Sequence, residues 1–217
     1  MKFNYELLND GSVYITGYSE DSVQKDLIIP EFIEDHPVTK IGYGAFSECS
    51  SLTSIHIPDS VTSIGYGAFQ GCSSLTSIHI PDSVTSIGYW AFSECSSLTS
   101  IHIPDSVTSI GKWAFSGCCS LQTIRFSINL KRINELAFES CENLEELLLL
   151  EGLETIGDCD FFNCSGLKRI IIPASVREIG KNAFVFCNQA TFETAKGSYA
   201  EKWIKENQPN NNEILLS

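Results

Sequence analysis

The stretch LTSIHIPDSVTSIGYGAFQGC, Leu52 to Cys72, returns with few changes from Leu75 and again from Leu98. Its central phrase SIHIPDSV stands unaltered at Ser54–Val61, Ser77–Val84 and Ser100–Val107, and the units 41–63 and 87–109 differ only in Gly44 against Trp90. Outward from that phrase the register holds over most of the chain. Isoleucine recurs every 23 residues at Ile41, Ile64, Ile87, Ile110, Ile133, Ile156 and Ile179. Phenylalanine does so at Phe46, Phe69, Phe92, Phe115, Phe138, Phe161 and Phe184, and cysteine at Cys49, Cys72, Cys95, Cys118, Cys141, Cys164 and Cys187. A fixed period of this kind marks a stack of repeats, because one unit cannot bury its apolar face alone.

Each unit has a physical reading. The alternation Ile55, His56, Ile57 puts the isoleucines on one face of a short strand and the histidine on the other. Pro58 has no N–H and ends the strand. Val61 and Ile64 turn the chain inward. Gly42, Gly65, Gly88, Gly111, Gly157 and Gly180 share a column with Asn134. Since glycine and asparagine best tolerate positive φ, that column is expected to be a left-handed turn. Ala45, Phe46, Cys49 and Leu52, spaced by three and four, suit a short helical turn facing the core. Strands stack about 4.7–4.9 Å apart, whereas helices pack at about 8–10 Å. The expected fold is therefore an α/β solenoid, right-handed and curved, with a parallel concave sheet, helical turns on the convex side, and rows that leave no inward cleft.

The pattern LxxIxIPxxVxxIGxxAFxxC, as it stands from Leu52 through Ile55, Ile57, Pro58, Val61, Ile64, Gly65, Ala68 and Phe69 to Cys72, resembles the BspA-type leucine-rich repeat. The resemblance covers about residues 26 to 196. Ser127 and Leu150 stand where the pattern has proline, and after Cys187 the strand columns carry Ala190, Glu193 and Ala195. What the resemblance implies is a binding scaffold, often surface-associated, used in attachment to host or matrix proteins and to other cells.

Both ends need closing, or an exposed strand edge would pair with another chain. Asn9-Asp10-Gly11 between Phe3-Asn-Tyr-Glu-Leu7 and Val13-Tyr-Ile-Thr-Gly17 predicts a β-hairpin. Ser198-Tyr-Ala-Glu201 reads as a capping box, with Tyr199, Trp203 and Ile204 at helical spacing, and the tail after Gln208 as mobile. The division expected is a hairpin cap and first strand over 1–40, seven repeats over 41–196 and a capping helix and tail over 197–217, all in one domain.

Composition narrows the function. The chain has 217 residues, 43% of them hydrophobic, as a globular protein does. Its formal charge of −13 argues against nucleic acid, which is gripped by lysine and arginine. Neither a secretory leader nor a span long enough to insert in a bilayer is legible, so localisation is open, and only the resemblance suggests an extracellular or cell-surface place.

Three chemistries compete for the repeated polar residues. Ser54, His56 and Asp59, with Ser77, His79, Asp82 and Ser100, His102, Asp105, match a hydrolase triad by type. A triad requires one hydrogen-bonded chain and an oxyanion hole, and three identical copies on a flat sheet offer neither. A metal would need convergence, whereas His56, His79 and His102 form a straight column. No cofactor is expected. The seven in-register cysteines read as small core residues, and Cys119 and Cys159 as the two with any reactivity. The expectation is a non-catalytic site for a protein or other extended macromolecule on the concave face, using Ser54, His56, Ser77, His79, Ser100, His102, Arg125 and Arg169. The alternatives are a metal-binding or hydrolytic site on the same columns, and a structural module that self-associates weakly through its end caps or through Tyr43, Tyr66, Tyr89, Trp90 and Trp113 on the convex side.

Overall fold

Every 23-residue unit winds once around the stack and lays down two strands rather than one. The structure, a computed structural model, describes residues 3–19, 25–208 and 214–216. The longer strand of each coil is the expected one: Asp26–Ile28, Ser54–His56, Ser77–His79, Ser100–His102, Thr123–Arg125, Glu146–Leu148, Arg169–Ile172 and Thr191–Thr194. The shorter follows the proline turn: Ser63–Ile64, Ser86–Ile87, Ser109–Ile110, Arg132–Ile133, Thr155–Ile156 and Glu178–Ile179. Where the sequence suggests only an inward bend at Val61 and Ile64, the chain makes a second parallel ladder. The fold is a parallel β-solenoid of about eight coils.

The short strands run without a break from His36–Ile41 to Glu178–Ile179, partners always 23 residues apart. The long strands form three groups instead, with pairing interrupted between Ser77–His79 and Ser100–His102 and again between Thr123–Arg125 and Glu146–Leu148. At the second interruption a cleft of about 600 Å³ opens, which corrects the expectation of unbroken rows.

Between the two ladders and the turns lies the core. The seven phenylalanines of the repeat stack ring on ring, with centroids 5.1–5.6 Å apart and planes within 10°. Phe3 and Tyr18 close the stack at one end and Phe192 and Trp203 at the other, in tilted and edge-on contacts. Each such aromatic contact adds about 0.5–1.5 kcal/mol beyond the area it buries.

The segments that carry these rings are not helical. In 43–48 the amides of Gly44, Phe46 and Glu48 donate to Tyr66, Ala68 and Gln70 of the next coil at 2.7–2.9 Å, while those of Ala45, Ser47 and Cys49 bond back three residues. This alternation requires left-handed backbone at every fourth position, φ +57° at Gly44 and +60° at Glu48. Among the described residues no helices therefore pack opposite the strands to bend the stack, and this side advances by one ring spacing per coil.

The glycine column is also corrected. The positive φ falls on the Gly44 column and not on Gly42, and Trp90 and Trp113 adopt it at +54° and +55°, a conformation costing an L-residue roughly 1–2 kcal/mol. The Gly42 column is glycine for want of room. A Cβ at Gly88 would lie 2.6 Å from the Gly65 carbonyl carbon, and one at Gly111 2.6 Å from that of Gly88. Asn134, the one other residue in the column, turns its side chain to donate to Ile110 O at 2.6 Å.

The N-terminal strands Phe3–Leu7 and Val13–Tyr18 pair antiparallel, and Val13–Tyr18 leads the short-strand sheet into His36–Ile41. The helix Tyr199–Asn207 begins at Ser198, whose Oγ accepts the Glu201 amide at 3.1 Å. Trp203 and Ile204 are buried, whereas Tyr199 is exposed. The tail does not simply hang free. Residues 209–213 lie outside the described set, but Ile214–Leu216 pairs parallel with Thr191–Thr194 as a ninth rung.

One core position breaks the pattern. Asp160 stands in a column of alanines, is fully buried, and accepts the amides of Gly157 and Ala137. Burial holds its carboxyl well above the usual range. A raised folded-state value means that its favourable contribution is complete below the unfolded value and disappears as pH rises through the folded one. Asp160→Ala frees the Gly157 amide to use Ile133 O, as its counterpart Gly180 uses Ile156 O. We expect the variant to be more stable than wild type at pH 8 by roughly 1–3 kcal/mol, with the gain shrinking on acidification. Paired denaturant titrations at pH 8 and pH 4 check this, and a variant less stable at pH 8 contradicts it.

Candidate functional site on the long-strand face

The period of two decides what this face shows. In each long strand the central isoleucine or leucine points inward and the residues either side point out. Register then aligns them: Ser54 with Ser77 and His56 with His79, then Ser100 with Thr123 and His102 with Arg125. One row runs Ile28, His56, His79, and a second stretch of it His102, Arg125. It ends as Leu148, Ile171, Glu193 and Leu215.

Hydrogen bonding separates structural groups from available ones. The hydroxyls of Thr53, Thr76 and Thr99 each donate to a main-chain carbonyl of the preceding coil at 3.1–3.2 Å. Ser54 donates to Asp26 Oδ1 at 2.6 Å. Arg169 is committed too, its Nε and Nη2 reaching both oxygens of Glu193 at 2.6 and 2.9 Å. That pair holds the Glu193 carboxyl below the ordinary glutamate range. By contrast Ser77, Ser100, His56, His79, His102 and Arg125 make no side-chain hydrogen bond or ion pair with the described residues.

The types that suggest a triad are not joined into one. The Ser54 hydroxyl turns to the neighbouring strand and not to His56, and Asp59 lies past the proline turn. The equivalent Asp105 uses its carboxylate to accept the Ile128 amide of the next coil at 3.1 Å. No three His, Cys, Asp or Glu side chains among the described residues converge as a metal ion requires. No helix among them is long and apolar enough to cross a membrane.

The cysteine column has a role that spacing alone did not reveal. Cys72, Cys95, Cys118, Cys141, Cys164 and Cys187 each point the thiol at the carbonyl of a phenylalanine in the preceding coil, Phe46, Phe69, Phe92, Phe115, Phe138 and Phe161, at 3.1–3.5 Å. A small side chain with one weak donor fits here. Burial raises the thiols of Cys95, Cys118, Cys141 and Cys187. Cys119 and Cys159 are half-buried and are raised as well, first by desolvation, then by Glu142 and Asp158 respectively.

On the turn side the aromatic strip is continuous. Tyr43 stacks on Tyr66 at 4.9 Å, Tyr66 meets Trp90 edge-on at 4.9 Å, and Trp90 stacks on Trp113 at 4.7 Å. Tyr89, also expected in the strip, makes no ring contact with the described residues, and Tyr43 remains 70% exposed.

Residues 24–145 and 67–191 match the family model described as "BspA type Leucine rich repeat region (6 copies)". A search of the curated proteins returns no sequence match. Among solved structures the chain is similar to a leucine-rich repeat protein of T. pallidum, with 27% identity, a TM-score of 0.82, and 100% of this chain and 97% of that one covered. It is also similar to one from Bacteroides ovatus, with 25% identity, a TM-score of 0.51 and coverage of 90% and 84%. A third, from Bacteroides capillosus, shares 33% identity over 57% of this chain and 93% of its own, with a TM-score of 0.52.

The thiol environments predict how the cysteines titrate. With a colourless aromatic disulfide reagent at pH 8, two thiols, Cys119 and Cys159, should react in the native protein, more slowly than free cysteine, and the other seven of the nine only after unfolding. Fast reaction of any column cysteine in the native state would contradict the arrangement.

Proposed function

Because this chain belongs to the BspA-type leucine-rich repeat family, we propose that it is a non-catalytic adhesion or recognition scaffold whose long-strand face binds a protein. The observation that carries the reading is the in-register display of side chains with unspent hydrogen-bonding capacity. His56, His79 and His102 face outward beside Ser77 and Ser100, and Arg125 continues the row. Ser54 and Arg169 belong to the same face, each already bound to a neighbouring carboxylate. An extended surface of this kind suits an extended partner better than a small molecule.

In this reading the coils wind right-handed, as parallel strands joined by a crossover nearly always do, and the long strands lie on the concave side. Residues 1–40 act as the leading cap, 41–196 as the repeat block and 197–217 as the trailing cap of one domain. The scaffold works outside the cell or at its surface, without a cofactor, and self-association is at most weak.

The test compares two variants on an array of host-surface and matrix proteins. Replacing His56, His79 and His102 together by asparagine should weaken capture of a bound protein by at least about tenfold, or 1.4 kcal/mol. Replacing Tyr43 and Tyr66 by alanine on the turn side should leave it unchanged. If the tyrosine variant loses the partner and the histidine variant keeps it, the face is wrongly assigned.

A further inference from the structure

We infer that the cleft between residues 122–124 and 143–148 receives an extended segment of a partner protein that presents one basic side chain, an arginine or lysine, to it. The inference rests on the face reading above and names what one point of that face would grip.

The slot is the second of the two interruptions in the long-strand ladder, and the one at which a cleft opens. Thr99 O accepts the Gln122 amide at 2.9 Å and Glu145 O accepts the Lys168 amide at 2.9 Å, but Gln122 O receives nothing from Glu145. The amides of Ile103 and Leu149 reach Arg125 O and Ile171 O at 2.8 and 3.1 Å, whereas the equivalent amide of Phe126 does not reach Leu148 O. The Gln122 and Leu148 carbonyls and the Phe126 and Glu145 amides, whose counterparts are paired in the two adjoining coils, thus have no backbone partner across the gap, and Gln122, Glu145 and Leu148 line it. The sequence contains a cause. Phe126 occupies the column of Ile57, Ile80, Ile103, Leu149 and Ile172. Its ring lies edge-on to Phe138 at 5.7 Å and 80°. The first interruption has the ordinary Ile80 in this column and, among the described residues, no such cleft, so the ring accounts for the opening of the cleft alone: an aromatic ring in a space shaped for a branched aliphatic spreads the rungs. Ile124 is left half-buried, although its counterparts Ile55, Ile78, Ile101, Leu147 and Ile170 are buried.

The lining selects the ligand. Ile124 and Leu148 give the lining its apolar part, and Gln122, Thr123, Asn143, Glu145 and Glu146 its polar part. Glu145 is taken by Lys168 at 2.7 Å. Glu146 forms no ion pair with the described residues, because its register neighbour Arg169 is held by Glu193. A free carboxylate and two unpaired carbonyls together with apolar lining match a side chain with an aliphatic stem and a cationic head. The amides of Phe126 and Glu145 remain for the partner's main-chain carbonyls. The chain's net charge of −13 favours approach of a basic partner over an acidic one.

The test is an amide-resolved NMR titration of the full chain with acetyl-Gly-Gly-Arg-Gly-Gly-amide, its lysine counterpart, and a citrulline counterpart that keeps the shape and loses the charge. Arginine and lysine peptides should shift the Phe126 and Glu145 amides saturably, with citrulline at least tenfold weaker and Glu146→Gln reducing the arginine affinity about tenfold. Phe126→Ile should close the slot, abolish the response and slow hydrogen exchange at the Glu145 amide at least tenfold. Unsaturated shifts spread over all acidic residues, equal binding of citrulline, or an undiminished response in Phe126→Ile would each overturn the proposal. Should that variant not fold, exchange at Glu145 in wild type no faster than at Lys168 overturns it as well. The peptide titration does not involve the histidine row, so it can fail or succeed independently of the array comparison.

Discussion

The whole molecule depends on one coil satisfying its backbone on the next. Few amides of a repeat can be paired within it, because its strands are two to four residues long and its turn segments alternate handedness. The partners lie one coil away, at the distance set by a parallel ladder. Hence each coil must have the length of its neighbours, and like residues must fall in rows. The phenylalanine stack, the thiol-to-carbonyl bonds and the rows of outward serine and histidine are consequences of that single requirement. Where side chains could also close a carbonyl, as threonine and cysteine do, the repeat uses them.

Such an arrangement spreads stability along the stack instead of concentrating it. It also makes the ends expensive, because an end coil has no neighbour to satisfy it. At one end the hairpin supplies a strand for the short-strand sheet while Phe3 and Tyr18 cover the last ring. At the other, the two sheets are closed separately. The helix brings Trp203 against Phe184, and Ile214–Leu216 completes the long-strand ladder.

What could be read in the sequence was whatever repeats. The columns of Ile41, Phe46 and Cys49 announce the stack, its core and the outward row of His56 with no further information. Features confined to one or two residues were not readable. The second strand, Ser63–Ile64, is too short to show a period. Sequence places the Gly42 column at positive φ because glycine answers two needs, conformational freedom and lack of a Cβ, which the residue type cannot tell apart; here the second applies. The expected helical turns failed because intervals of three and four arise equally from alternating left- and right-handed turns. The cleft was invisible because phenylalanine in an apolar column looks conservative until its neighbours' size is considered.

The near-identity of the units beginning at Ser54, Ser77 and Ser100 bears on how the chain reaches this structure. Any of these segments can satisfy its neighbour's backbone as well as the correct one, so a folding chain can skip a unit and leave 23 residues looped out, an error whose closure entropy grows only slowly with loop size. Discrimination falls to the positions that do not repeat. Phe126 and Asn134, each found once in its column, are positions at which a slipped register differs from the correct one.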